Sequence, residues 1–216
     1  MELYKTVRNE AEAAQTIEKS RFIAHVKPVS TREEADAFIS EIRSIYKDAT
    51  HNVPAMVIGD KFQIQWASDD GEPQGTSGAP MVQMLVKEGI TNTVVVVTRY
   101  YGGIKLGTGG LVRAYTGSAK LGLEAAGICS VREICTMKIR IEYPYLAKFQ
   151  SIAVQTLDTD DTSAEGFIIK DAEYSDKVVL TICTFPENEM GVREIFANIT
   201  SGGAEIIETY TVPEKV

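Results

Sequence analysis

The stretch Thr93-Val-Val-Val-Val-Thr-Arg-Tyr-Tyr-Gly-Gly-Ile-Lys-Leu-Gly-Thr-Gly-Gly-Leu-Val-Arg113 decides how this chain folds. Thr93 to Thr98 is an unbroken β-branched run, the pattern of a strand buried on both faces. A glycine-rich segment follows at once. Leu111 to Ala125 then reads as a helix closed by Gly127 as its C-cap. Toward the N-terminus, Arg21 to Val29 reads as a strand. Ser30 and Thr31, with Glu33 and Glu34 three positions on, offer two overlapping capping boxes for a helix running through Lys47. Ala35, Phe38, Ile39, Ile42 and Ile45 give that helix its apolar stripe. Val53 to Gly59 and Phe62 to Trp66 pair as strands across a Gly59-Asp60 turn, and the loop Ser68 to Ser77 leads to a helix near Ala79 to Lys87.

From Glu133 onward the pattern is self-contained. It predicts a strand over Thr136 to Tyr143, a helix with Pro144 in its first turn, and strands at Ser163 to Lys170 and Lys177 to Phe185. A helix from Pro186 to Gly202-Gly203 and a last strand at Ala204 to Val212 complete it. The order βαββαβ is that of a ferredoxin-like split βαβ unit. The fold class is therefore α+β with two domains, residues 1–132 and 133–216, meeting through the short stretch near Ser130, a division that suits 216 residues.

Charge separates the two parts. The formal net charge of −8 argues against a general nucleic-acid binder, yet residues 1–132 are net neutral and the acidity belongs to residues 133–216. Gly89 to Leu123 carries Arg99, Lys105, Arg113 and Lys120 and no carboxylate at all, so that is where an anion would go. The longest apolar run, Val94 to Val97, is too short to cross a bilayer, and no signal-peptide core follows Met1, so the expected location is the cytoplasm with no membrane partner. Cys129, Cys135 and Cys183 lack metal-site spacing and read as reduced core residues, and with His25 and His51 the only histidines, no metal or other cofactor is assigned.

Two segments carry chemistry. In Arg99 to Arg113, Gly102, Gly103, Gly107, Gly109 and Gly110 let backbone amides approach a ligand, and Arg99, Tyr100, Lys105 and Arg113 are interleaved with them as anion, RNA or partner contacts. The spacing matches neither GxxxxGK[ST] nor GxGxxG, and a bland alternative is that the glycines serve a tight crossover. The second segment, Asp69-Asp70-Gly71-Glu72-Pro73, could hold Mg²⁺ or act as acid and base. It reads better as a turn that pairs with the basic loop and fixes Arg99 or Lys105. His51 stands beside it as a hydrogen-bonding residue, and no catalytic residue is assigned. Trp66 reads as packing, while Tyr100 and Tyr101 stay open between packing and stacking on a ligand.

Lys19-Ser-Arg-Phe-Ile23, Asp69 to Pro73 with Gly75-Thr-Ser-Gly78, and Val97 to Tyr115 together closely resemble the Impact/YigZ family. One departure is Val53, where the family often carries cysteine after His51-Asn52. The resemblance implies an N-terminal domain folded like domain IV of elongation factor G and like the second domain of a ribosomal small-subunit protein, with a left-handed βαβ crossover. It also implies a ferredoxin-like second domain and a non-enzymatic role in translation or stress regulation, as in eukaryotic relatives that compete for a partner of an initiation-factor kinase. Expected partners are the ribosome, RNA or a translation-associated protein, with no DNA sequence recognition. The alternative is a small-molecule enzyme, a hydrolase or transferase, acting on an anionic substrate in a cleft between the Asp69–Pro73 and Arg99–Arg113 loops.

Overall fold

A computed structural model describes residues 2–157 and 166–216. The chain separates into two compact units, Leu3–Ser130 and a second that holds Val131–Val216.

In the first unit, β1 (Glu2–Val7) is followed by β2 (Ala11–Ile17) and β3 (Ser20–Pro28), a hairpin turning through Glu18 and Lys19, both with positive φ. Next come α1 (Arg32–Ile45), β4 (His51–Ile58), β5 (Ile64–Ala67), α2 (Gly78–Lys87), β6 (Thr93–Tyr100) and α3 (Gly107–Ala126). The sheet runs β2-β3-β6-β4-β5 with every neighbouring pair antiparallel. β6 lies at its centre, which is why its valines are buried on both sides. Val94 and Val96 face α1 with Met56 and Ile58, while Val95 and Val97 face α2 and α3 with Phe22, Ala24 and Ala55. Helix α1 begins at the expected cap: Thr31 Oγ1 accepts the Glu34 amide at 3.2 Å, and Glu34 Oε2 accepts the Ser30 amide at 2.7 Å. Trp66 packs at the edge of the α1 layer with the Arg32 guanidinium over its ring, 4.9 Å from the centroid.

In this unit helix α3 differs from the sequence reading, and strands β1 and β2 had no reading there. Helix α3 starts at Gly107 rather than Leu111, so the glycines 107, 109 and 110 form its first turn instead of a loop. Glycine is a poor helix former, but Leu111, Ala114, Tyr115, Ala119 and Leu123 bury a stripe long enough to hold the end. Strand β2 carries little β-propensity of its own. β2 is specified by its ladder to β3, and β1 is tied by Lys5 N–H to the Gly89 carbonyl and Thr91 N–H to the Lys5 carbonyl, both 2.9 Å.

In the second unit, β7 (Ile128–Ile141), α4 (Tyr143–Ile152), β8 (Ile168–Tyr174), β9 (Val178–Thr184), a 3₁₀ turn at Pro186–Asn188, α5 (Glu189–Thr200) and β10 (Glu205–Lys215) follow in order. Strand order β10-β7-β9-β8, antiparallel throughout, is the ferredoxin-like arrangement. β7 begins earlier than expected. Of the strand expected over Ser163 to Lys170, the first residues lie outside the described residues, and the observed strand β8 runs from Ile168 to Tyr174. Phe149 and Phe196 stack with centroids 4.0 Å apart over Met137, Leu180 and Ile182, each such burial contributing about 1.5–3 kcal/mol. Cys129, Cys135 and Cys183 are buried free thiols.

Candidate functional site

The site is built from the end of β6, the loop after β5 and the start of α3. Strand alternation sends Arg99 to the α2/α3 side of the sheet and Tyr100 to the other. Arg99 is only 4% exposed. Its Nη1 donates to Glu72 Oε1 at 2.6 Å and its Nη2 to Ser20 Oγ at 3.3 Å, with its guanidinium over the rings of Phe22 and Tyr101. Tyr115, wholly buried, donates its hydroxyl to the same Glu72 oxygen at 2.7 Å. Burial first, then the Glu72 carboxylate, pushes the Tyr115 hydroxyl's pKa well up, so it remains a donor. Arg99 Nε is buried without a partner.

Glu72 reaches this position because the loop before it is tied down by its neighbours. Asp69 Oδ1 accepts from the amides of Ser77 (3.1 Å) and Gly78 (2.9 Å) and the Ser77 hydroxyl (2.7 Å), while Oδ2 accepts from the Gly75 amide at 2.7 Å. Asp69 therefore caps α2 from a distance. Burial works against its charge, but these four donors outweigh it and hold its pKa below 3.8. Asp70 joins β4 to α1: Oδ2 accepts the Asn52 amide at 2.6 Å and Oδ1 an Arg43 N–H at 3.1 Å. Its carbonyl accepts from His51 Nδ1 at 2.7 Å, which fixes the ring and leaves Nε2, 3.7 Å from Glu72 Oε1, toward the cleft. Gly71 follows with φ +88°. The carboxylates that could have served a metal or a proton transfer are committed to the protein's own donors. Among the described residues no group of three or more His, Cys, Asp or Glu is placed to hold a metal ion.

A cleft of about 490 Å³ is lined by His51, Glu72, Pro73, Arg99, Tyr101, Lys105 and Thr108, among others. A second depression of about 410 Å³ holds Glu18, Gly110 and Arg113, and Lys105 borders both. The first turn of α3 has no side-chain cap and no acidic residue. The amides of Gly107, Thr108 and Gly109 precede the first in-helix acceptor and meet none among the described residues. Lys105 and Arg113 have no carboxylate partner there either, whereas Lys120 is paired with Glu88. Aligned peptide dipoles make such a helix end favourable for anions.

The expected residues therefore divide. Lys105 and Gly107 line the cleft, Gly110 and Arg113 the second depression, and Gly109 adds its amide. Arg99 lines the cleft as a buried, paired side chain, while Lys105 and Arg113 are exposed. Tyr100 is turned away and donates its hydroxyl to Asp48 at 3.0 Å. Gly102 is a packing residue: a Cβ there would lie 2.1 Å from the Lys19 carbonyl. Gly103 needs φ +87° to turn the chain. Sequence reasoning weighed Tyr115 only between stacking and packing, and it missed Ser20 and Thr50, whose partners lie far along the chain, and Thr108, which lines the cleft.

Comparison with known proteins places the chain in a family. Residues 18–123, which contain every residue of the cleft, match the Impact N-terminal domain. The chain is 38% identical to IMPACT family member YvyE of Bacillus subtilis over 95% of its length and 90% of that protein. It is also 38% identical to IMPACT family member YigZ of Escherichia coli, over 65% and 70%. Protein IMPACT of Oryctolagus cuniculus is 36% identical over 43% of this chain, but only 30% of its own length is matched. A crystal structure described as a hypothetical protein superposes with a TM-score of 0.57 at 31% identity, covering 95% of this chain and 97% of that one. The protein belongs to the IMPACT family.

Proposed function

We propose that this protein is a non-enzymatic, cytoplasmic regulator of translation that docks on RNA of the translation machinery by seating a phosphate at the start of α3. The observation that carries this reading is the uncapped first turn of α3, flanked by Lys105 and Arg113, two cations with no carboxylate partner among the described residues, in a 35-residue stretch without a carboxylate. A phosphate accepting from three amides and one or two cations gains charge-assisted bonds that no protein group already occupies. Glu72, Arg99 and Tyr115 support the site from below by fixing the loop that carries the cations. The acidic second unit repels bulk polyanion, which favours a local contact over pervasive coating of RNA.

Co-sedimentation with ribosomes at low salt tests it. The wild-type protein is expected in the ribosomal pellet and the Lys105→Ala, Arg113→Ala double variant in the supernatant. Equal pelleting of both proteins would sink the reading. A second reading, an enzyme on a small anionic substrate, is favoured by His51, whose Nε2 faces the cleft beside Glu72. Stabilisation by Mg²⁺ and nucleotides in a thermal-shift screen would move the balance there, since a ligand at 100 times its Kd adds about 2.7 kcal/mol.

A further inference from the structure

We propose that His25, Glu12 and Tyr46 form a proton-operated clasp, in which a doubly protonated imidazole ties the edge strand β2 and the end of α1 to the centre of the sheet and a singly protonated one releases them. The inference stands apart from the RNA-docking reading and uses none of its residues.

Protons can be counted along one hydrogen-bonded chain. Asn52 Nδ2 donates to the Tyr46 carbonyl at 3.0 Å, and a carbonyl only accepts, so the Asn52 amide is oriented with Oδ1 toward Thr98. Thr98 Oγ1 donates its one proton to that Oδ1 at 2.7 Å. Toward His25 Nε2, 3.2 Å away, Thr98 therefore accepts, and Nε2 has to carry a hydrogen. On the other side of the ring, Nδ1 lies 3.1 Å from Glu12 Oε2, a carboxylate oxygen that also accepts the Tyr46 hydroxyl at 3.0 Å. Nδ1 has to carry a hydrogen as well. Both bonds form together on an imidazolium, whereas a neutral ring turns a bare lone pair toward one of its two acceptors.

When one of the two bonds has to go, it is the one to Glu12. Thr98 and Asn52 are buried on the inner strands β6 and β4, whereas the Glu12 side chain is 50% exposed and can turn its carboxylate to water. Its departure also breaks the side-chain tie to Tyr46, the C-cap residue of α1. The charges around the ring come from three elements. Glu12 and Glu10 act on it from β2, with Glu10 paired to Lys27 of β3 at 2.8 Å. From α1, Glu41 and Tyr46 share with it a depression of about 280 Å³, the Tyr46 ring 4.7 Å from the imidazole. β6 meets it through the uncharged Thr98, behind which stands Asn52 of β4. Burial lowers the pKa of the imidazole, and Glu12 and Glu10 oppose it without overcoming it, so the second proton arrives on the acid side of pH 6.5.

Nitrogen NMR of the full chain with ¹⁵N-labelled histidines tests this, titrated from about pH 8 to about pH 4.5 to span the histidine range. At the alkaline end the His25 ring is expected as the Nε2–H tautomer, and at the acid end with both nitrogens protonated. Amide hydrogen exchange over the same step gives the second reading, expressed as protection factors so that the intrinsic effect of pH is removed. Protection is expected to rise about ten-fold in β2 and in the last turn of α1, the worth of one hydrogen bond to a charged group, while Asn52 in β4 keeps its protection. Glu12→Gln separates the clasp from a general effect of pH. Its amide can donate to the bare Nδ1, so β2 in that variant should stay protected at both ends of the titration. An Nδ1–H tautomer at alkaline pH overturns the proposal, and so does a ring that takes up no second proton by the acid end. Protection of β2 that is constant across the titration in wild type, or that changes as much in Glu12→Gln, overturns it too.

Discussion

Arg99 and Lys105 look alike in the sequence, two cations in one glycine-rich loop, and the structure gives them opposite work. Arg99 is a buried half of an ion pair, while Lys105 is a surface cation with no carboxylate partner among the described residues. Removing one member of a buried pair strands the other, so Arg99→Ala should destabilise the fold by about 3–5 kcal/mol. Lys105→Ala should fall within about 0.5 kcal/mol of wild type. Urea unfolding of both variants checks this, and a mild Arg99→Ala would show that Glu72 is not relying on it. Asp69 makes a prediction with pH. Its folded pKa is depressed below the unfolded 3.8, so the unfolded state binds more protons as pH falls past that value. Its contribution is full above pH 3.8 and is lost as the medium becomes more acidic. In Asp69→Asn, less stable at neutral pH, that part of the acid-induced loss should be missing. A profile parallel to wild type below pH 4 would mean the four donors do not hold the anion. None of these pairings is legible locally: Glu72 and Arg99 are 27 residues apart, and Tyr115 reads as an aromatic for packing or stacking until the fold brings its hydroxyl to the carboxylate.

At the scale of elements, what the sequence reveals depends on whether an element is specified by its own residues or by its neighbours. β6 and α1 are legible because burial on both faces demands a β-branched run, and Thr31 with Glu34 writes the helix start in side chains. β2 is not, because Ala11-Glu-Ala-Ala-Gln-Thr-Ile17 has a composition suited to a helix, and only the ladder with β3 makes it extended. The first turn of α3 was hidden for the converse reason, since glycines mask a helix that packing sustains. The glycines also differ among themselves. Gly102 sits where a Cβ would meet the Lys19 carbonyl at 2.1 Å, and Gly75 has φ +74° with nothing within 4 Å. Gly75→Ala should therefore cost about 1–2 kcal/mol of backbone strain. Gly102→Ala should cost more, because the hairpin of β2 and β3 must shift. Thermal melts of the two variants give the comparison, and equal losses would mean the hairpin moves freely.

For the whole molecule, the acidic residues and the candidate site are separated along the chain. The acidic residues 133–216 lie in one compact unit, and the cleft, its cations and the open helix end lie in the other, within residues 18–123 shared with the Impact N-terminal domain. That separation was visible in the sequence as a carboxylate-free stretch, though which of its cations face outward was not. The central claim is that the start of α3 receives an anion through backbone amides. Amide chemical shifts read this residue by residue in ¹⁵N-labelled full chain titrated with a short 5′-phosphorylated RNA. The resonances of Gly107, Thr108 and Gly109 are expected to move most and to saturate together, while Gly89 and Gly202 stay in place. Unmoved Gly107 to Gly109 resonances alongside shifts elsewhere on the chain would contradict the account.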